Sequence, residues 1–357
     1  MTNSVLRVVE YLRERRHDVL VIAPGLSGPA EYAGAPVIRI PAVDLPVVNS
    51  LPIGLPTRTV LTALSAFGPD VVHLASPFVV GARGLAAARR LRVPSVAVYQ
   101  TDIPGFATAY GLGLGARAAW RWVRRLHARA DRTLAPSTES MMNLRAHGIP
   151  RVYRWGRGVD VERFSPEHAD PALRARLAPD GQLLVGFVGR LAPEKEVDRL
   201  VALAGMDGVR AVVVGDGPEL ESLRDRIPDA AFLGARYGDE LSAVYASLDV
   251  FVHTGPYETF CQAVQEAMAS GLPVLAPDAG GPKDLVLPGR TGYLLPADRA
   301  GFEQELVRRV DDLRDPALRA RLGQKARKVV LGRTWPAVCA ELVEHYEAVT
   351  GHVARAA

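Results

Sequence analysis

Cysteine is nearly absent. Cys261 and Cys339 are the only two in 357 residues, which excludes a disulfide framework and a cysteine-rich metal centre. Lysine is almost as rare: Lys195, Lys283, Lys325 and Lys328 are four of 43 basic residues, and the other 39 are arginines. Arginine grips phosphate and carboxylate through a planar fork, so the bias suits anionic ligands; the plainer explanation is a GC-rich genome, which favours arginine codons. No apolar run reaches the roughly 18 residues that span a bilayer. The opening MTNSVLRVVEYLRERR lacks the charged, apolar and small-residue blocks of a secretory signal, so a cytoplasmic protein is expected. There is no Asp-x-Asp motif and no histidine cluster to demand a metal. Gly215-Asp216-Gly217 lacks the third glycine of the dinucleotide fingerprint, which argues against a nicotinamide-dependent dehydrogenase.

What is present is an ordinary globular composition, 48% hydrophobic and 23% charged, with a net charge of +4. The length accommodates two domains. Short continuous apolar runs, VLVIA, DVVHL, SVAVYQ and RTLAP, alternate with segments of helical period. The rhythm resumes with LLVGFVG, RAVVVGDG, AAFLG, LDVFVHT and LPVLAP. Runs without polar alternation fit strands buried on both faces, so two doubly wound parallel sheets are expected. The break between them falls in the turn-rich, charged stretch 156–171. The beginning is unusual. Instead of a strand and a Gly-rich turn, the chain opens with a helix capped by Asn3 or Ser4 and carrying Val5, Leu6, Val9 and Leu12 at helical spacing.

Two charged constellations stand at strand ends. In YETFCQAVQEAMASGLPVLAP, Glu258 and Glu266 are eight residues apart, a rise of about 12 Å if both lie on one helix. A helix starting near Thr259 would aim the amides of Phe260, Cys261 and Gln262 at an anion. In VGFVGRLAPEKEVDRL, Gly189 ends a strand, Arg190 follows, and Lys195 sits in the first turn of a helix beginning near Pro193. A cation there opposes the helix dipole, so its presence calls for a local reason: a clamp on an anion, or a solvated turn with Glu194 and Glu196.

The combination resembles the retaining glycosyltransferases of family 4, and its wording is similar to the actinobacterial GDP-mannose-dependent alpha-mannosyltransferases that act on glycolipids. The E-x7-E signature is matched by Glu258 and Glu266, and the G-R-…-K clamp by Gly189, Arg190 and Lys195. The resemblance implies the α/β GT-B fold, two Rossmann-like domains facing a cleft. It implies an acceptor-side domain over 1–160, a nucleotide-sugar donor domain over 161–334, and a final helix in 335–357 crossing back to the first. It implies that Glu258 holds the donor sugar, Glu266 the ribose, and Arg190 with Lys195 the leaving diphosphate. Thr259, Phe260, Cys261 and Gln262 line the donor site, with Arg236 in the base-facing loop. No cofactor or metal is implied beyond the nucleotide-sugar, and nucleic acid is not among the partners.

Two departures are expected to matter. Many relatives carry histidine where Gln100 stands, while Asp102 is retained as a group that positions sugar or acceptor. The family opens with a strand and glycine loop running into V-T-N-S-V, whereas here the chain begins Met1-Thr2-Asn3-Ser4-Val5. The first strand is therefore expected to be missing, Met1 standing for a valine whose GTG codon was read as a start.

The segment 113–131 combines Trp120 and Trp122 with Arg117, Arg121, Arg124, Arg125 and Arg129. Its arginines are read as spread around the helix, basic rather than cleanly amphipathic, and suited to an anionic membrane surface. The apolar stretch 46–56 is a second candidate for lipid contact. Mannose transfer to a glycolipid or phosphatidylinositol-type acceptor is the leading reading; the alternatives are a UDP-sugar donor, or a truncated member that binds without turnover.

Overall fold

The computed structural model describes residues 2–25, 27–44, 52–54, 58–75, 79–102 and 113–351. The chain forms two compact units: one holds the N-terminal part up to Arg157 together with the segment from Trp335 onward, the other holds Gly158–Thr334.

The first unit contains β1 (Val21–Pro24), β2 (Glu31–Tyr32), β3 (Ala35–Ile40), β4 (Ala42–Asp44), β5 (Pro52–Gly54), β6 (Val72–Leu74), β7 (Ser95–Val98), β8 (Arg132–Ala135) and β9 (Val152–Arg154). Strands β6-β7-β8-β9 make a parallel sheet in sequence order, β1-β3-β2 make a separate sheet, and β4 pairs with β5. Among the described residues β1 pairs only with β3 and β6 only with β7. Among the described residues the ladder of a continuous Rossmann-like sheet is thus interrupted between them. The opening helix, Thr2–Glu14, buries Val8 and Tyr11 against the helix Trp335–Thr350 and the strand residues Val96, Val98 and Leu134. Trp155 fixes that last helix to the unit by donating its indole N–H to the Val338 carbonyl at 2.9 Å.

The second unit is one six-stranded, all-parallel sheet. Its strands are β10 (Leu183–Val188), β11 (Val209–Val214), β12 (Ala231–Gly234), β13 (Val250–Val252), β14 (Val274–Pro277) and β15 (Gly292–Leu295), in the order β12-β11-β10-β13-β14-β15. Successive side chains point to opposite faces. Leu184, Val212, Phe251 and Val274 join one core with Val264 and Met268, while Phe187, Val213, Val250 and Leu275 join another with Leu200 and Phe302. Both faces are therefore dry, which is why these strands read as unbroken apolar runs. The chain winds outward from β10 through β11 to β12, then crosses back to place β13 on the other side of β10. That reversal opens a crevice at the carboxyl ends of β10 and β13.

Helix Pro316–Val330 lies against the turn after helix Gln262–Ala269, and Gly323 makes the approach possible: a Cβ there would stand 2.0 Å from the Gly271 carbonyl oxygen. Helix propensity alone predicts that Gly323→Ala stabilises by about 1 kcal/mol. The contact predicts the opposite sign, a loss of about 1–3 kcal/mol from forced displacement, to be read from urea unfolding midpoints.

Candidate functional site

The loops that leave β10 and β13 carry the charged residues singled out in the sequence. After β10, Gly189 donates its amide to the Val214 carbonyl at 3.0 Å, and Leu191 is held between Asp216 and Glu219 by backbone hydrogen bonds of 2.9 and 3.0 Å. Gly215-Asp216-Gly217 thus braces the clamp loop. Pro193–Lys195 is a single 3-10 turn, closed by Glu196 at φ 45°. The helix expected to begin near Pro193 does not continue because that left-handed residue breaks it, and a second 3-10 segment, Val197–Leu203, follows.

Each charge on this loop has its own partner. Arg190 donates to Glu194 at 2.5 Å, Arg199 pairs with Glu196 at 2.5 Å, and Lys195 donates to Glu258. Glu194 is buried, so the reading of a solvated charged turn does not hold. Burial pulls the Lys195 pKa down, but the neighbouring Glu258 carboxylate and its hydrogen bond outweigh it, and the ammonium is held above its ordinary value. The two loops are also joined through backbone. The Thr254 hydroxyl donates to the Lys195 carbonyl at 2.6 Å, and a Cβ on Gly255 would stand 3.0 Å from the Lys195 Cα. Lys195 and Glu258 are therefore positioned by the crevice at the strand-order reversal.

The helix after β13 starts later than the sequence pattern predicts. It spans Gln262–Ala269, and Cys261 precedes it at φ 76°. Phe260 and Cys261 consequently lie before the first turn and do not present helical amides; Gln262 opens the helix. Glu258 and Glu266 do not share one helix, so the 12 Å estimate does not apply. The reason is the glycine pair 280–281. The Gly281 amide donates to the Glu258 carbonyl at 2.7 Å, and a Cβ on Gly281 would meet the Phe260 backbone at 2.2 Å. This packing holds 258–261 as irregular backbone, with Phe260 in the core and Thr259 beside it, half-buried.

Sequence reasoning passed over His253. It is fully buried at the end of β13, its Nε2 3.6 Å from a Glu258 oxygen. Burial lowers its pKa to about 4 against the pull of Glu258, so the imidazole is neutral at pH 7. A histidine ending an apolar strand, five residues before a flagged glutamate, was the available signal.

The remaining predicted residues stand elsewhere. Arg236 follows β12 at the same carboxyl edge, two strands from β10, paired loosely with Glu240 at 3.9 Å, and Tyr237 beside it is 78% exposed. Asp102 belongs to the first unit, where the Tyr99 hydroxyl donates to it at 2.8 Å; Gln100 nearby is buried. Helix Gly113–His127 is more orderly than expected. Arg117, Arg121, Arg124 and Arg125 are all exposed, within an arc of about 100° at helical spacing, whereas Val123, Leu126 and His127 are buried and Trp120 stacks on His147. The arginines do form one outward face. Apart from β5, the stretch 46–56 is almost wholly outside the described residues. Among the described residues, no helix is long and apolar enough to cross a membrane.

Two family profiles match the chain, Glycosyltransferase Family 4 over residues 1–163 and Glycosyl transferases group 1 over 170–329. The chain is 57% identical to a GDP-mannose-dependent alpha-mannosyltransferase of Mycobacterium tuberculosis, covering 98% of this chain and 93% of that protein. It is 47% identical to one of Corynebacterium glutamicum, covering 97% and 84%. A GDP-mannose-dependent alpha-(1-6)-phosphatidylinositol dimannoside mannosyltransferase of M. tuberculosis is 28% identical over 72% of this chain and 70% of its own. Among solved structures, sucrose-phosphate synthase from Thermosynechococcus elongatus superposes with a TM-score of 0.76 at 21% identity, covering 97% and 92%. Anabaena HepE with UDP and glucose gives 0.75 at 22%, covering 97% and 95%. Both are GT-B neighbours and share the fold.

The Glu266 carboxyl is shifted well above its ordinary value. Burial raises its pKa to about 7, against hydrogen bonds from Tyr245, whose hydroxyl is 3.3 Å away, and Gln262. A carboxyl that keeps its proton longer in the folded state destabilises the fold as pH rises. The effect is absent below the unfolded value near 4.5, grows as pH rises, and is complete above about 7. The expected loss is about 3 kcal/mol between pH 4.5 and 8, since each tenfold weakening of an acid on folding corresponds to about 1.4 kcal/mol. Urea unfolding of the unliganded protein against pH, beside Glu266→Gln, should show this slope reduced by that amount in the variant. Parallel curves would mean that Glu266 does not titrate in this range.

Proposed function

Because the chain belongs to glycosyltransferase family 4, we propose that it moves mannose from GDP-mannose to a lipid-linked acceptor with retention of anomeric configuration, using the crevice at Lys195 and Glu258. The observation that carries this assignment of the site is the Lys195–Glu258 pair, set by two separate loops at the carboxyl ends of β10 and β13. Open α/β sheets bind ligands at that reversal, and 57% identity over nearly the whole chain to a GDP-mannose-dependent enzyme supports the donor.

In this reading the donor diphosphate approaches Lys195 and Arg190. As the bond from C1 of mannose to the phosphate oxygen breaks, the electron pair stays on the diphosphate, and fixed cations stabilise that charge without reorganising. The acceptor oxygen bonds to C1 on the same face, and its proton passes to the departing phosphate oxygen. Glu258 then orients the sugar hydroxyls and Glu266 the ribose. Before donor arrives, Glu258 compensates the mostly buried ammonium, so the site is not left with an unpaired charge.

The acceptor is a glycolipid, supported by the relative named for phosphatidylinositol dimannoside, and the outward arginine face of helix Gly113–His127 draws the protein to anionic lipid. Each basic residue near such a surface contributes about 1 kcal/mol.

Titration calorimetry with GDP, UDP and ADP tests the donor; GDP should bind and UDP should not, and the reverse would overturn the mannose assignment. Lys195→Ala should lower kcat by about 10²–10³, the range for loss of one charge-stabilising group; near-normal turnover would remove the clamp. The double variant Arg121→Glu with Arg125→Glu should weaken sedimentation with phosphatidylinositol-containing vesicles more than tenfold, leaving GDP binding unchanged. Equal sedimentation would dismiss this helix as the membrane contact.

A further inference from the structure

Behind Glu258 lies a group of side chains that the transfer reaction does not explain. His253, Glu258 and Cys261 each offer one donor atom, and the three atoms lie within 4.8 Å of one another. They come from the end of β13 and the irregular loop that follows, and His253 and Cys261 are buried. Neither ring nitrogen of His253 has a hydrogen-bond partner of good geometry, although both are shielded from solvent. Among the described residues the Gly255 backbone is the one hydrogen-bonding group that acts on the ring, and a buried imidazole held this weakly calls for an explanation. The Cys261 backbone is held at φ 76°, and its sulfur falls in the cluster with the imidazole and the carboxylate.

The donor set is selective. One imidazole nitrogen, one thiolate and one carboxylate oxygen suit zinc, whereas magnesium and calcium take oxygen ligands. Ligands about 2.0–2.3 Å from a tetrahedral zinc stand roughly 3.3–3.8 Å apart. His253 Nε2 and a Glu258 oxygen are already 3.6 Å apart, and closing the widest pair needs a shift of roughly 1 Å. Three protein ligands leave one position for water.

We propose that His253, Glu258 and Cys261 bind one zinc ion, and that this ion and the donor diphosphate exclude each other. On binding, the neutral imidazole gives its lone pair, Glu258 a carboxylate oxygen, and the Cys261 thiol releases its proton to solvent. Exclusion follows from Glu258, which serves both states. In the metal-free protein it compensates the Lys195 ammonium. With zinc on the same carboxylate, Lys195 meets a second cation and the clamp loses its geometry. The metal is therefore an inhibitor, with no part in transfer. The exclusion rests on the donor-site reading of Lys195 and Glu258; the metal site stands on its own geometry.

The test uses the full chain and Co2+ as a spectroscopic stand-in. One equivalent of Co2+ should produce near-ultraviolet thiolate-to-cobalt absorption, and Zn2+ should abolish it. Cys261→Ser should remove that absorption, and His253→Gln should weaken metal binding by at least the roughly 10–100-fold that loss of an outer-shell partner costs. Wild-type protein without the thiolate absorption overturns the site, whatever the variants do. Survival of the band in Cys261→Ser overturns it too, assigning the signal to Cys339. Saturating GDP should raise the apparent Kd for Zn2+ at least tenfold, and an unchanged Kd overturns the exclusion. Failure of GDP to bind at all counts against the donor-site reading, while the cobalt spectrum still decides the metal site.

Discussion

The ion pair between Lys195 and Glu258 is the constraint around which the second unit is organised. Lys195 ends a single 3-10 turn and Glu258 lies on irregular backbone, and both are mostly shielded from water. A charge in that position requires a partner, because breaking a buried pair costs about 3–5 kcal/mol. The two loops must therefore meet, and the fold supplies the meeting through backbone. Thr254 ties the β13 loop to the Lys195 carbonyl, Gly255 permits the approach, and the Gly281 amide fixes the Glu258 carbonyl. The sheet order places these loops side by side because the chain reverses direction at β10.

The charges around the pair are sorted. Arg190 is directed to Glu194 and Arg199 to Glu196, leaving Lys195 to Glu258. Were the acids interchangeable, the ammonium would have three carboxylates within a few residues and no fixed direction. The left-handed turn at Glu196 separates its carboxylate from Lys195, and Glu194 is buried beneath the loop. The charged sequence PEKEVDR thereby becomes a set of fixed pairs. In the proposed donor site an incoming diphosphate would meet a cation already held in place, which is the preorganisation that charge stabilisation needs.

Much of this is legible in the sequence because parallel strands buried on both faces leave continuous apolar runs, and those runs mark β10, β11, β13 and β14 to within three residues at their ends. The separation of the clamp from the E-x7-E motif is legible too, since both follow such runs. What the sequence hides is backbone conformation. Nothing in TFCQ announces that Cys261 takes a left-handed φ, so the pattern starts the helix too early. The cause lies twenty residues away, in the Gly280-Gly281 packing against 258–260. β3 and β15 escape a reading by apolar runs because proline and glycine interrupt their short segments. The arginines of helix Gly113–His127 look scattered when Trp122 and Arg129 are counted with them; the buried positions Val123, Leu126 and His127 define the face that the arginines avoid.

Cys261 shows how local strain is maintained. A non-glycine residue in the left-handed region costs on the order of 1–3 kcal/mol and persists where its surroundings over-determine it. Here they do, on both sides. Phe260 is anchored in the core with Val264 and Met268, the Gly281 backbone presses on the chain before Cys261, and Gln262 donates to the Gly158 carbonyl at 3.1 Å just after it. A regular helix through 259–262 would need Phe260 to leave the core, and burying one large apolar side chain is worth about 1.5–3 kcal/mol. The strain is therefore offset by packing, and its consequence is chemical. Glu258 is left ahead of the helix, on irregular backbone, where it reaches Lys195 and not its own helix's solvent face.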